Sequence, residues 1–114
     1  KISSGVYETG YGSKVNIADK DVQYFPTTFR GYNYYEKYTE AQIKTVGELL
    51  LYWGKRYNIS LKYNEDMWDV SKNALGGQNG VWTHVSYRSP GDKQDCFPDT
   101  ELIAMLKTLS SIVY

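Results

Sequence analysis

The chain has 114 residues, and its 13 Lys and Arg against 13 Asp and Glu leave no net formal charge at neutral pH. That length suits one small domain with a modest core, and the balanced charge offers no basic field to draw in nucleic acid or anionic lipid. No apolar run approaches the ~20 residues that span a bilayer, no basic-then-apolar leader is visible, and one cysteine builds no internal disulfide framework, so a soluble chain without a membrane span is expected.

The opening KISSGVYETGYGSK mixes β-branched and aromatic residues with Gly5, Gly10 and Gly12 and predicts a short strand running into a turn. The following stretch, to Tyr38, lacks helical periodicity and carries Pro26 and Gly31, which predicts loop with strand pieces around Val22 to Phe25. Thr39 and Gln42 have capping-box spacing, and Ile43, Val46, Leu50, Trp53 and Tyr57 then recur with helical period, so a helix is expected from about Glu40 to Tyr57. Asn58 suits a left-handed end to that helix, with Ile59 to Leu61 leading into another extended piece.

The polar, glycine-bearing segment from Lys62 to Gly80 reads as a long surface loop with one helical turn in it. VWTHVSYR, from Val81 to Arg88, alternates as a strand does, and SPGDKQDCFPD returns to loop. After Pro98 a second helix is expected, capped by Asp99 or Thr100 and presenting Leu102, Ile103, Met105, Leu106, Leu109, Ile112 and Val113. This order predicts an α/β domain spanning residues 1–114.

Twelve tyrosines stand out in the composition. Most of them suit half-buried sheet and helix positions, although the ring of a tyrosine can also cover the apolar face of a sugar while its hydroxyl bonds to polar groups.

The only histidine, His84, falls at the end of the predicted strand, and Asp95 follows after an excursion bearing Pro90 and Gly91 that can fold back on the strand end. An imidazole with a carboxylate or thiolate suits zinc, and Lys93 would bring a cation near a developing oxyanion. The same residues also suit a plainer arrangement, in which His84 and Asp95 only hydrogen-bond and Cys96 is a small buried hydrophobe.

The run GVWTHVSYRSPGDKQDCFPDTELIAMLKTL resembles the C-terminal end of zinc-dependent N-acetylmuramoyl-L-alanine amidases, the family of phage endolysins and peptidoglycan recognition proteins. In that family a strand-end histidine is followed across a short loop by Lys-x-Asp or Lys-x-Cys and then a proline. His84, Lys93, Asp95 and Pro98 match here, which implies His84 and Asp95 as zinc ligands, with Cys96 as the alternative to Asp95, and Lys93 as a catalytic group. The helix EKYTEAQIKTVGELLLYWGKRYNI is similar to the long helix preceding the family's final metal-binding strand, and SSGVYETGYG resembles its strand Ser-Ile-Gly-Ile-Glu. The resemblance implies a mixed β-sheet flanked by helices.

Two departures accompany it. Tyr7 stands where the family has its glutamate, and Glu8, one residue later, falls on the opposite face of a strand. The family's first zinc-binding histidine lies on an earlier strand, and no second histidine occurs in this sequence. Two explanations compete: a later part of an amidase domain lacking the N-terminal strands, with a complementing N-terminal chain of the same protein supplying a further ligand, or a degenerate relative that no longer binds zinc; the presence of His84, Lys93 and Asp95 together favours the first.

The implied activity is zinc-assisted hydrolysis of the amide between N-acetylmuramic acid and L-alanine in peptidoglycan. Lys93 and Tyr7 would serve as catalytic groups, with Trp68, Trp82, Tyr34 and Tyr35 bordering the substrate, in a protein of the bacterial cell wall, the periplasm or a phage particle. The rival expectation is a non-catalytic peptidoglycan-binding or phage-particle component with an amidase-like fold.

Overall fold

The computed structural model describes residues 6–8, 14–16, 22–90 and 93–112. It divides into two compact units, Lys1–Tyr38 and Thr39–Tyr114. The expected turn glycines Gly5, Gly10 and Gly12 lie outside the described residues, as do Gly91 and Val113.

In the first unit, β1 (Val6–Glu8) pairs antiparallel with β2 (Lys14–Asn16), setting Tyr7 opposite Val15 and Glu8 opposite Lys14. A second hairpin joins β3 (Val22–Phe29) to β4 (Tyr32–Glu36). Arg30 (φ 50) and Gly31 (φ 90) form its two-residue turn, a left-handed pair whose twist matches that of the strands it connects. Pro26, which donates no ladder hydrogen bond, sits within the register shift between Tyr24 and Phe29.

Aromatic contacts fill one side of this hairpin. Tyr35 meets Phe25 and Phe29 edge-on at 5.7 and 5.8 Å between ring centroids, and its hydroxyl donates to the Phe29 carbonyl at 2.6 Å. Tyr24 and Tyr34, a directly opposed cross-strand pair, meet at 5.1 Å with their rings tilted by 42°. Burial, with Tyr32 adding to it and Arg30 opposing, pushes the Tyr35 phenol up to about 12.

The second unit is built on two helices. The first, α1 (Glu40–Tyr57), begins with the capping box the sequence predicts: the Gln42 amide donates to Thr39 Oγ1 at 3.1 Å and the Thr39 amide to Gln42 Oε1 at 2.9 Å. Asn58, left-handed at φ 54, closes it. Asn79 then ties down the chain beyond, donating to the Asn58 carbonyl at 3.0 Å and accepting from the Ser60 amide at 3.1 Å. Between the helices come a first 3-10 turn (Glu65–Trp68), a short helix α2 (Lys72–Leu75) and a second 3-10 turn (His84–Ser86).

The final helix, α3 (Thr100–Ser110), is capped by Asp99, whose fully buried carboxylate accepts from the amides of Glu101 (2.8 Å) and Leu102 (3.1 Å). Helices α1 and α3 pack closely: a Cβ added at Gly47 would meet Met105 Cγ at 3.2 Å. The core combines Leu102, Leu106 and Leu109 of α3 with Leu61, Met67, Ala74, Val85 and Phe97 from the connecting segments.

The chain thus mixes helices and strands, as its pattern implies. Among the described residues the strands form two two-stranded antiparallel sheets, not the mixed helix-flanked sheet expected. Two local readings are corrected. Tyr32–Glu36, expected as loop, is strand because the Arg30–Gly31 turn folds it back on β3. Val81–Arg88, expected as strand, has no ladder partner and tightens into the 3-10 turn at His84, so the histidine does not lie at a strand end.

The lysine-to-glycine loop from Lys62 to Gly80 holds two helical turns in place of one. On α1 the buried residues are Gly47 and Gly54, whereas Val46, Leu49, Trp53 and Tyr57 are exposed, so the expected stripe is only partly covered. Helix α3 ends at Ser110, and Ile112 lies beyond it, exposed.

Two substitutions check this account. Thr39→Ala removes the cap of α1 and is expected to cost about 1 kcal/mol. Leu106→Ala opens the α3 core and is expected to cost about 2–5 kcal/mol. Urea unfolding of both variants measures the difference, and equal costs would contradict the burial pattern.

Candidate functional site

The second 3-10 turn is short and has little cohesion of its own, since such turns have poorer hydrogen-bond geometry than an α-helix. What fixes it is a buried polar cluster around one carbonyl. Thr83 Oγ1 donates to the Met67 carbonyl at 2.8 Å and Ser86 Oγ donates to the same oxygen at 2.7 Å. The Thr83 amide donates to Ser86 Oγ at 3.0 Å, and the Ser86 amide returns to the Thr83 carbonyl at 3.1 Å. Ser86 is fully buried and Thr83 nearly so.

A further bond links this cluster to α2: the Ser71 amide donates to the Ser86 carbonyl at 2.9 Å. Ser71 Oγ in turn donates to Asp66 Oδ2 at 2.6 Å, and Asn73 Nδ2 reaches the same oxygen at 3.1 Å. Ser71 Oγ also accepts from the Ala74 amide at 3.1 Å, capping α2. The Ser71 hydroxyl, with a smaller contribution from Asn73 and against the cost of desolvation, holds the Asp66 carboxyl below its ordinary range.

Within the turn, Val85 is fully buried while its neighbour His84 projects outward, with 41% of its side chain exposed. The Val85 amide donates to the Asp95 carbonyl at 3.0 Å and so draws the returning loop alongside. That loop is secured at its far end by buried Phe97 and by Asp99 capping α3. The result brings two sequence-predicted site residues together: His84 Nδ1 stands 3.1 Å from Asp95 Oδ2.

The pair can act in two ways. As a hydrogen bond, the carboxylate orients the imidazole. As ligands, a nitrogen and an oxygen sharing one tetrahedral zinc at bonds of about 2.0 Å stand about 3.3 Å apart, close to the separation observed. The two donor types suit zinc in chemistry, and the separation is equally that of an ordinary hydrogen bond. Among the described residues no group of three His, Cys, Asp or Glu side chains is placed to hold a metal.

The other expected site residues are distributed as follows. Cys96, half-buried and in no disulfide, follows Asp95, and Lys93 is exposed two residues before Asp95. Trp82 is half-buried, its Nε1 donating to the Gln78 carbonyl at 3.0 Å. Trp68 donates from Nε1 to the Tyr63 hydroxyl at 2.7 Å. Tyr7, Tyr34 and Tyr35 belong to the first unit, where Tyr34 meets Tyr24 at a tilt and half-buried Tyr35 packs edge-on against Phe25. The residues that sequence reasoning missed are Thr83, Ser86 and Ser71, whose hydroxyls are the only signal they carry.

No family model matches the chain, and neither the curated proteins nor the solved structures contain a match. Among the described residues no helix is long and apolar enough to cross a membrane.

The lowered Asp66 carboxyl makes a pH prediction. A depressed folded value favours the ionised group in the native state, so its contribution is present above the unfolded value of about 3.9 and is lost as pH falls through the folded value. Asp66→Asn is expected to flatten the loss of thermal stability on acidification below about pH 4. Melting temperatures measured across that range test it, and parallel curves for the two proteins would exclude the Ser71–Asp66 bond as the cause.

Proposed function

We propose that the chain forms part of a zinc-dependent N-acetylmuramoyl-L-alanine amidase domain acting on peptidoglycan, of bacterial cell-wall, periplasmic or phage-particle origin. The observation that carries the reading is the His84–Asp95 pair at 3.1 Å, held by the Val85–Asp95 backbone bond in the segment that resembles the amidase signature. His84 Nδ1 and Asp95 Oδ2 would hold the metal, with Cys96 as the alternative to Asp95. Further donors are required to close the site, and on this reading they come from an N-terminal part of the same protein.

Zinc, when bound, supplies a Lewis acid that activates water at neutral pH. Lys93 stabilises negative charge as it grows on the scissile carbonyl oxygen. On the resemblance alone, Tyr7, in the position of the family's glutamate, would be the other catalytic group. Trp82 would supply a flat apolar face for the substrate; in the first unit Tyr34 is the stronger of the two tyrosine candidates, since the ring and hydroxyl of Tyr35 already bond within the hairpin.

A second reading, a non-catalytic wall-binding or particle component, is favoured by a specific observation: the described residues bring together two metal donors and no third. Metal analysis of the natively purified protein, paired with release of L-alanine-linked peptides from purified walls, decides between them. Stoichiometric zinc is expected, lost in His84→Ala and Asp95→Ala. Lys93→Ala is expected to keep the zinc and lose about 10²–10³-fold in hydrolysis. Metal-free protein that binds walls without cleaving them would establish the second reading.

A further inference from the structure

We infer that Thr83 and Ser86 are positioning residues for the His84–Asp95 pair, acting through the carbonyl of Met67. The inference rests on that pair being the working element of the site, and it assigns roles to two residues that the amidase resemblance does not touch.

A three-residue turn imposes little orientation by itself, yet here both residues flanking the His84–Val85 dipeptide are fastened to the same acceptor. Thr83 Oγ1 and Ser86 Oγ converge on the Met67 oxygen at 2.8 and 2.7 Å, which uses both lone pairs of that carbonyl. The Ser86 hydroxyl is simultaneously bound by the Thr83 amide at 3.0 Å. With its two ends pinned to one point, the turn presents Val85 to the core and His84 to the Asp95 segment.

The same turn aims the Val85 amide at the Asp95 carbonyl, 3.0 Å away. Both members of the pair therefore depend on the turn: His84 because it belongs to it, Asp95 because its backbone is tied to it. Apolar residues of similar size would fill the space around Met67 but would not set the rotation of the turn. A side chain that merely packs there and one that positions the imidazole are thus separable by experiment.

His84 is the sole histidine of the chain, so one imidazole spin system reports its state without ambiguity. With Asp95 accepting, neutral His84 carries its proton on Nδ1. The test records imidazole nitrogen shifts of the metal-free full chain, and zinc affinity by competition with a chromophoric chelator. Wild type is compared with Thr83→Val, Ser86→Ala, the conservative Thr83→Ser and the remote core variant Leu106→Ala.

The expected result is loss of the Nδ1–H form in Thr83→Val and Ser86→Ala, with zinc affinity reduced about 10–100-fold. Thr83→Ser is expected to retain both properties, as is Leu106→Ala despite its lower stability. Unchanged imidazole shifts in both hydroxyl-deleting variants would overturn the inference, as would an equal change in Leu106→Ala. If wild type binds no zinc while the hydroxyl-deleting variants still lose the Nδ1–H form, the positioning role is supported and the zinc reading fails.

Discussion

The carbonyl oxygen of Met67 is the point on which the second unit depends. Met67 is itself buried, so its oxygen would carry an uncompensated desolvation cost without partners. Two hydroxyls from a turn far along the chain supply those partners. The bonds couple the Glu65–Trp68 turn to the His84–Ser86 turn, and Ser71 couples α2 to the same place through the Ser86 carbonyl. Polar groups buried in this way are stable when every member is satisfied, and among the described residues no buried side-chain nitrogen or oxygen lacks a partner. Several short elements, none stable alone, are thereby fixed relative to one another.

The rest of the unit follows from that fixation. Once the two turns are joined, Met67, Ala74 and Val85 face inward together, and α3 lays Leu102, Leu106 and Leu109 into the same core. Tyr63 supports the arrangement from the side: its amide donates to Ser110 Oγ at 2.9 Å, its hydroxyl accepts from Trp68, and Lys107 Nζ stands 5.4 Å from its ring centroid. The β3–β4 hairpin follows another logic. It holds itself by cross-strand rings and by the Asn33 and Tyr35 side chains donating to the Phe25 and Phe29 carbonyls, with the left-handed Arg30–Gly31 turn between its strands.

What the sequence disclosed and what it concealed have distinct physical origins. Helix α1 was legible at both ends because its signals are local: Thr39 and Gln42 are three apart, and Asn58 tolerates the left-handed conformation its position demands. Helix α3 was legible through Asp99 and its leucines. The alternation in VWTHVSYR misled because period two describes a strand only when a neighbour offers a ladder. Here the Thr83 and Ser86 hydroxyls offer the backbone a nearer set of bonds and draw it into a turn. Strand β4 was hidden because Arg30, an uncommon left-handed residue, carries half of its turn. The meeting of His84 with Asp95 was legible as a loop folding back; the hydroxyls that aim it were not, since their partner is distant in sequence.

The closeness of hydrogen-bond and shared-ligand separations at His84 and Asp95 bears on how such a pair could bind a metal. A site whose donors must first be brought together loses affinity to the ordering of its loops. In this chain the ordering is already made by bonds away from the exposed tips: Met67 with Thr83 and Ser86, Val85 with Asp95, and Asp99 with the start of α3. On the proposed reading, His84 Nδ1 and Asp95 Oδ2 would be the two atoms of this pair that hold the metal. The buried hydroxyls do their work in the absence of metal, and a bound ion would inherit a pair that is already aligned.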